Sequence, residues 1–94
     1  MVIIDLAQIA GSFAENKDAA QKIRREQIIP ALKKKDQVVL DFTHVRSTTQ
    51  SFIHALISEA IREVGSDVLD KIYFKNCNEN VQEIINIVVE YMQA

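Results

Sequence analysis

Asp41, Thr43, His44, Ser47, Thr48, Thr49, Ser51, His54 and Ser58 crowd a short stretch in which an apolar run, Val38-Val-Leu40, gives way to an apolar helical pattern. A carboxylate and an imidazole such as Asp41 and His44 can share general acid–base work only if both reach one substrate. The hydroxyls offer two roles. Ser and Thr accept hydrogen bonds from unpaired amides in the first turn of a helix, contributing about 1 kcal/mol. They also mark helix N-termini, where anions and phosphoryl groups are favoured. Asp41 has a simpler role too, accepting hydrogen bonds from the amides of the adjoining turn. His44, His54 and Cys77 form no Cys-x-x-Cys or His-x-x-x-His pair for a metal. No glycine-rich phosphate loop or Gly-x-Ser-x-Gly elbow is present. These residues describe a chain without an enzyme signature, metal or cofactor, with a small enzyme using Asp41 and His44 as the alternative.

Several elements must hold that stretch in place. Val2-Ile-Ile4 is continuously apolar and β-branched, as expected of a strand buried on both faces. Leu6 to Ala14 suits either a helical turn or a second short strand, with Gly11 as a bend. From Asn16 a helical face runs through Ala19, Ala20, Ile23, Gln27 and Ala31 or Leu32. Pro30 has no amide hydrogen and clashes with the carbonyl four residues back, so this helix must kink near Glu26 or restart near Ile29. Gln37 to Asp41 is the central strand. The next helix starts near Thr48 or Thr49, buries Phe52, Ile53, Leu56, Ile57, Ala60, Ile61 and Val64, and ends at Gly65. Lys71 to Lys75 is a third strand, and Asn78 or Asn80 caps a last helix that buries Val81, Ile84, Ile85, Val88 and Met92. Such alternation predicts an α/β fold with a small, mostly parallel sheet of three or four strands and right-handed crossovers.

Composition narrows the classes. At 94 residues the chain is expected to form one domain over 1–94, since domains span roughly 50–250 residues. A hydrophobic content of 48% with two Gly and one Pro suits a compact globule rather than a disordered segment. The single cysteine rules out an internal disulfide, and without an apolar leader or spanning segment a soluble, cytoplasmic protein with no membrane contact is expected. Residues 1–35 hold seven Lys/Arg against four Asp/Glu, and residues 36–94 hold four against nine. Lys22, Arg24, Arg25 and Lys33 could meet phosphates, but the sequence pI near 5.6 and the lack of a recognised module speak against nucleic acid. Ile87 and Tyr91, outside the buried stripe of the last helix, leave a self-assembling structural subunit as a further alternative, with a homo-oligomer as its product.

The stretch Leu40-Asp-Phe-Thr-His-Val45, with Ser51-Phe52 and Asn76-Cys-Asn78, resembles the small bacterial STAS-like group and, more distantly, the STAS domains of anti-sigma factor antagonists and anion transporters. In STAS domains a strand reading valine-leucine-aspartate, apolar, small polar, glycine, valine runs into an Asp-Ser-x-Gly turn and an apolar helix. Leu40, Asp41, Phe42, Thr43 and Val45 match the strand, and Ala55 and Leu56 match the helix. The Asp-Ser positions fall on Thr49 and Gln50, Ser51 lies one residue later, and Phe52 stands where that turn has glycine. The resemblance implies a non-catalytic regulatory module that binds another protein, such as a histidine-kinase-type ATPase or an anti-sigma-like regulator. It further implies a contact surface comprising Thr43, His44, Ser47, Thr48, Thr49, Ser51, His54, Ser58 and Arg62, with Ser51 or Thr49 as the phosphorylation candidate.

Overall fold

The computed structural model describes residues 1–93. Three strands, β1 (Val2–Asp5), β3 (Val38–Asp41) and β5 (Ile72–Lys75), form a parallel sheet in the order β1-β3-β5. Two two-residue strands, β2 (Phe13–Ala14) and β4 (Ser47–Thr48), pair in parallel beside it. The helices are α1 (Leu6–Ala10), α2 (Lys17–Ile23), α3 (Ile29–Lys33), α4 (Gln50–Val64) and α5 (Glu79–Gln93), with a 3₁₀ turn over Ser66–Lys71. The mostly parallel α/β fold expected from the alternation is present, and β3 is central. The open segment 6–14 contains both alternatives, a helical turn and then a short strand, with Gly11 at φ 82° between them.

Sheet order explains which face is buried. Both crossovers step across the sheet in the same direction, so right-handed connections lay their helices on one side. Ile4, Val38, Leu40 and Ile72 point into a core shared with Phe52, Ile53, Leu56 and Ile57 of α4 and with Val81, Ile85 and Val88 of α5. The opposite face carries the row Ile3, Val39, Tyr73 in register. Ile3 is 62% exposed and Tyr73 is exposed as well, so β1 is not buried on both faces as its composition predicts. The helical stripes match expectation at their centres and thin at their edges. Ile61 and Val64 of α4, and Ile84 and Met92 of α5, are only half-buried.

Pro30 has a consequence beyond a break. Between α2 and α3 the chain runs through a π-helical segment, Arg24–Ile28, in which the Ile29 amide donates to the Arg24 carbonyl five residues back. The wider turn moves the carbonyls away from the proline ring that would otherwise meet them. It also inserts one residue into the helical period. The inward face therefore reads Ala20, Ile23, Arg24, Ile28, Ile29, Ala31 and Leu32: Arg24 follows Ala20 by one regular turn, and beyond it the inserted residue puts Ile28 inward where a regular period would put Gln27. Arg24, expected among the solvated cations, is 7% exposed.

Candidate functional site

All three strands of the main sheet point the same way, so their C-terminal ends gather at one edge. At that edge the chain passes from β3 through residues 42–46 into β4 and then α4. Phe42 is buried and faces Phe74 with ring centroids 6.4 Å apart, which anchors the first residue beyond β3 to β5. Asp41 shapes the turn that leaves the strand. Its Oδ1 accepts from the Thr43 amide at 2.9 Å, from the Thr43 hydroxyl at 2.6 Å and from Asn76 Nδ2 at 3.0 Å. These donors stabilise the charged form, so the Asp41 pKa is lowered, chiefly by Asn76 and then by Thr43. A carboxylate in this state is a weak base, and among the described residues no hydrogen bond joins it to His44.

His44 adopts φ 68°, a left-handed conformation that an L-residue with a bulky side chain seldom takes. It occupies the place that the STAS strand pattern gives to glycine, and the backbone here shows why glycine suits it. Val45 returns to the core, and the Arg46 amide donates to the Ser12 carbonyl at 2.8 Å, starting the β2–β4 bridge. Thr48 is buried in that bridge, its hydroxyl donating to the Ala14 carbonyl at 2.7 Å. Thr49 is the N-cap of α4, its Oγ1 accepting from the Phe52 amide at 3.1 Å. Three of the five hydroxyls between residues 43 and 51 thus serve structure, Thr43 in the Asp41 turn, Thr48 in the bridge and Thr49 as the cap.

The candidate contact residues accordingly divide. His44, Ser51, His54 and Arg62 are exposed, and Thr43, Ser47 and Thr49 are half-buried. Thr48 and Ser58 depart from expectation. Ser58 is 4% exposed, because it lies on the flank of α4 that α5 meets, and its side chain is therefore no part of an exposed helix face. Of the two phosphorylation candidates, Ser51 is open to solvent and Thr49 already holds the helix cap.

Two asparagines outside that candidate set complete the edge. Asn76, at φ 60°, reaches Asp41. Asn78 caps α5 by accepting from the Val81 amide at 2.9 Å, and its Nδ2 donates to the Arg46 carbonyl at 2.8 Å and to the Val45 carbonyl at 3.4 Å. The Asn-x-Asn spacing was visible in the sequence, but its targets lie more than thirty residues away. Between them Cys77 is half-buried, and burial followed by the Asp41 charge pushes its thiol pKa up, which disfavours the nucleophilic thiolate. Among the described residues no three His, Cys, Asp or Glu side chains group as metal ligands, and no helix is long and apolar enough to cross a membrane.

Acid titration tests the Asp41 cluster. A carboxylate whose pKa falls on folding contributes stability above its unfolded value, here 3.8, and that contribution is lost as pH drops through the lower folded value. Carboxyl NMR should give Asp41 a midpoint below 3.8 in the native chain and a higher one in Asn76→Ala. An unmoved midpoint would deny Asn76 its role.

Residues 19–82 match the family model described as "STAS-like domain of unknown function (DUF4325)". No curated protein and no solved structure matches the chain.

Proposed function

Because the chain belongs to this STAS-like family, we propose that it is a regulatory module without catalysis of its own, acting by binding another protein through the turn at the C-terminal edge of its sheet and the exposed face of α4. The partner class this reading names is a histidine-kinase-type ATPase or an anti-sigma-like regulator. The observation that carries it is the construction of that edge. Asp41, Asn76 and Asn78 use their hydrogen bonds to hold residues 43–46 and the start of α5 in one arrangement, and Thr49 caps α4 beside them. Beside it His44 and Ser51 are exposed, and the outer face of α4 adds His54 and Arg62. A preordered, mixed polar surface beyond strand ends is where α/β proteins place binding sites, and little side-chain entropy is lost when such a surface docks. The lowered Asp41 pKa makes it a weak base and the raised Cys77 pKa keeps its thiol protonated, which argues against catalysis by either group.

The test uses calorimetric titration of the chain against the histidine-kinase-type ATPases and anti-sigma-like regulators of its own genome. Ser51→Asp and Arg62→Glu should each weaken the complex about tenfold or more. Their melting temperatures should stay near that of the native chain, since an acid near the start of α4 complements the helix dipole and Arg62 is exposed. Lys22→Glu with Arg25→Glu is the comparison pair, because both are exposed on the basic segment and Arg24 is buried. Loss of binding in that pair alone would move the contact to the basic segment.

A second reading, self-association, has its own observation. Ile3 and Tyr73 on the bare sheet face, and Tyr91 at 76% exposure on α5, leave apolar side chains in solvent. Light scattering across a concentration series distinguishes the two readings.

A further inference from the structure

We infer that the half-open cavity bordered by α2, α4 and α5 is a binding site for a small organic monoanion, a carboxylate on an apolar body. The cavity measures about 380 Å³, within the range of roughly 300–1,000 Å³ typical of small-molecule sites. Its walls have two characters. Ile87, Val88 and Tyr91 of α5 form an apolar side. Facing them are Lys17 and Arg24 from the first helical segment and Ser51 and Ser58 from α4.

The polar side is built, and it is incomplete. Arg24 lies one regular turn beyond Ala20 on the inward face, where Nη1 donates to the Ala55 carbonyl at 2.9 Å and Nη2 lies 3.0 Å from Glu59 Oε2. Among the described residues, the buried Arg24 Nε and the buried Ser58 Oγ have no hydrogen-bond partner. Both side chains line this one cavity. Buried polar groups are nearly always hydrogen-bonded, so two orphans on a shared wall indicate acceptors still to arrive. Both atoms are closed off in the free chain, so a carboxylate oxygen reaches them through a shift of the lining side chains and then accepts from the guanidinium N–H and from the hydroxyl. The first-turn amides of Gln50 and Ser51, which have no intrahelical acceptor, add positive potential at the same wall.

Charge sets the ligand class. Lys17 and Arg24 against Glu59 leave one net positive charge among the lining groups, which a monoanion balances and a dianion overshoots. The apolar α5 side asks for a hydrocarbon or aromatic body. No protein partner is required, because the ligand enters the free chain, although the cavity shares Ser51 with the surface proposed above.

The experiment is an NMR titration of the ¹⁵N-labelled full chain with sodium benzoate, with benzyl alcohol and phenyl phosphate in parallel. Benzoate should produce saturable shifts at the Arg24 Nε–H, Ser58 and Tyr91 signals with Kd of about 1 mM or tighter, and benzyl alcohol should not. Ser58→Ala should melt at or above the native temperature, since it deletes an unpartnered buried hydroxyl, yet bind benzoate about three- to tenfold more weakly. Arg24→Lys keeps the charge, loses the forked donor geometry and should weaken binding about tenfold or more. The inference is overturned by an absence of saturable shifts, by shifts confined to other lysines, or by unchanged affinity in Ser58→Ala and Arg24→Lys. Tighter binding of phenyl phosphate than benzoate at these residues would overturn the monoanion assignment.

Discussion

Leu40→Ala should destabilise the chain by about 2–5 kcal/mol, the range for truncating a buried leucine whose surroundings relax only in part. Leu40 is fully buried at the centre of the sheet, in register with Ile4 on one side and Phe74 on the other, within the cluster that contains Phe52 and Leu56. The void cannot be closed by moving β3, because neighbours on both sides hold the strand by parallel ladders. Ile3→Thr is the contrasting variant. It lies one residue from Ile4 on the bare face, keeps a β-branched side chain and should change stability by less than about 0.5 kcal/mol. Chemical denaturation of both variants measures the asymmetry of the sheet directly. A Leu40→Ala chain of native stability would remove β3 from the core. A costly Ile3→Thr would mean that something covers the bare face in solution, and the cost would then depend on protein concentration.

The largest polar effect should come from Asn78→Ala, at about 2 kcal/mol, combining a lost helix cap with a lost hydrogen bond to the turn. Asn78 is the point at which the start of α5 and residues 45–46 are joined, through Val81 on one side and the Arg46 and Val45 carbonyls on the other. Asn78→Asp separates the two contributions. It retains an acceptor for the Val81 amide and loses the donor to the turn, so it should cost about half as much. Hydrogen exchange at Arg46 and Ser47 should speed up in both variants, because the turn loses its tie in each. Equal stability of Asn78→Ala and the native chain would show that the turn and α5 are held by other means. Since the proposed contact surface is built on this turn, Asn78→Asp should also weaken partner binding while leaving most of the fold intact.

Local pattern was enough for the elements whose character is local. The apolar run at Val38-Val-Leu40, the stripe from Phe52 to Ala60, the Gly65 stop and the Val81, Ile85, Val88 face each follow from side-chain period and chain stiffness. Alternation then implied parallel strands, and the Asp41 role in its turn follows from short-range carboxylate–amide geometry. Tertiary structure decided what depends on distant groups. How the helix accommodates Pro30 is one such matter: a π turn shifts the register by one residue and buries Ile28 where a regular period would put Gln27, while Arg24 is buried because α4 supplies Ala55 and Glu59 as its partners. The burial of Ser58 requires α5 beside it, and Thr48 is buried because Ala14 is there to receive its hydroxyl. Exposure of Ile3 follows from strand order, since two crossovers in one direction cover one face, and the apolar run Val2-Ile-Ile4 carries no information about order. Asn76 and Asn78 become parts of the candidate site only when β5 lies beside β3. A side chain's chemical type is written in its position in the chain, but its partner is supplied by the fold.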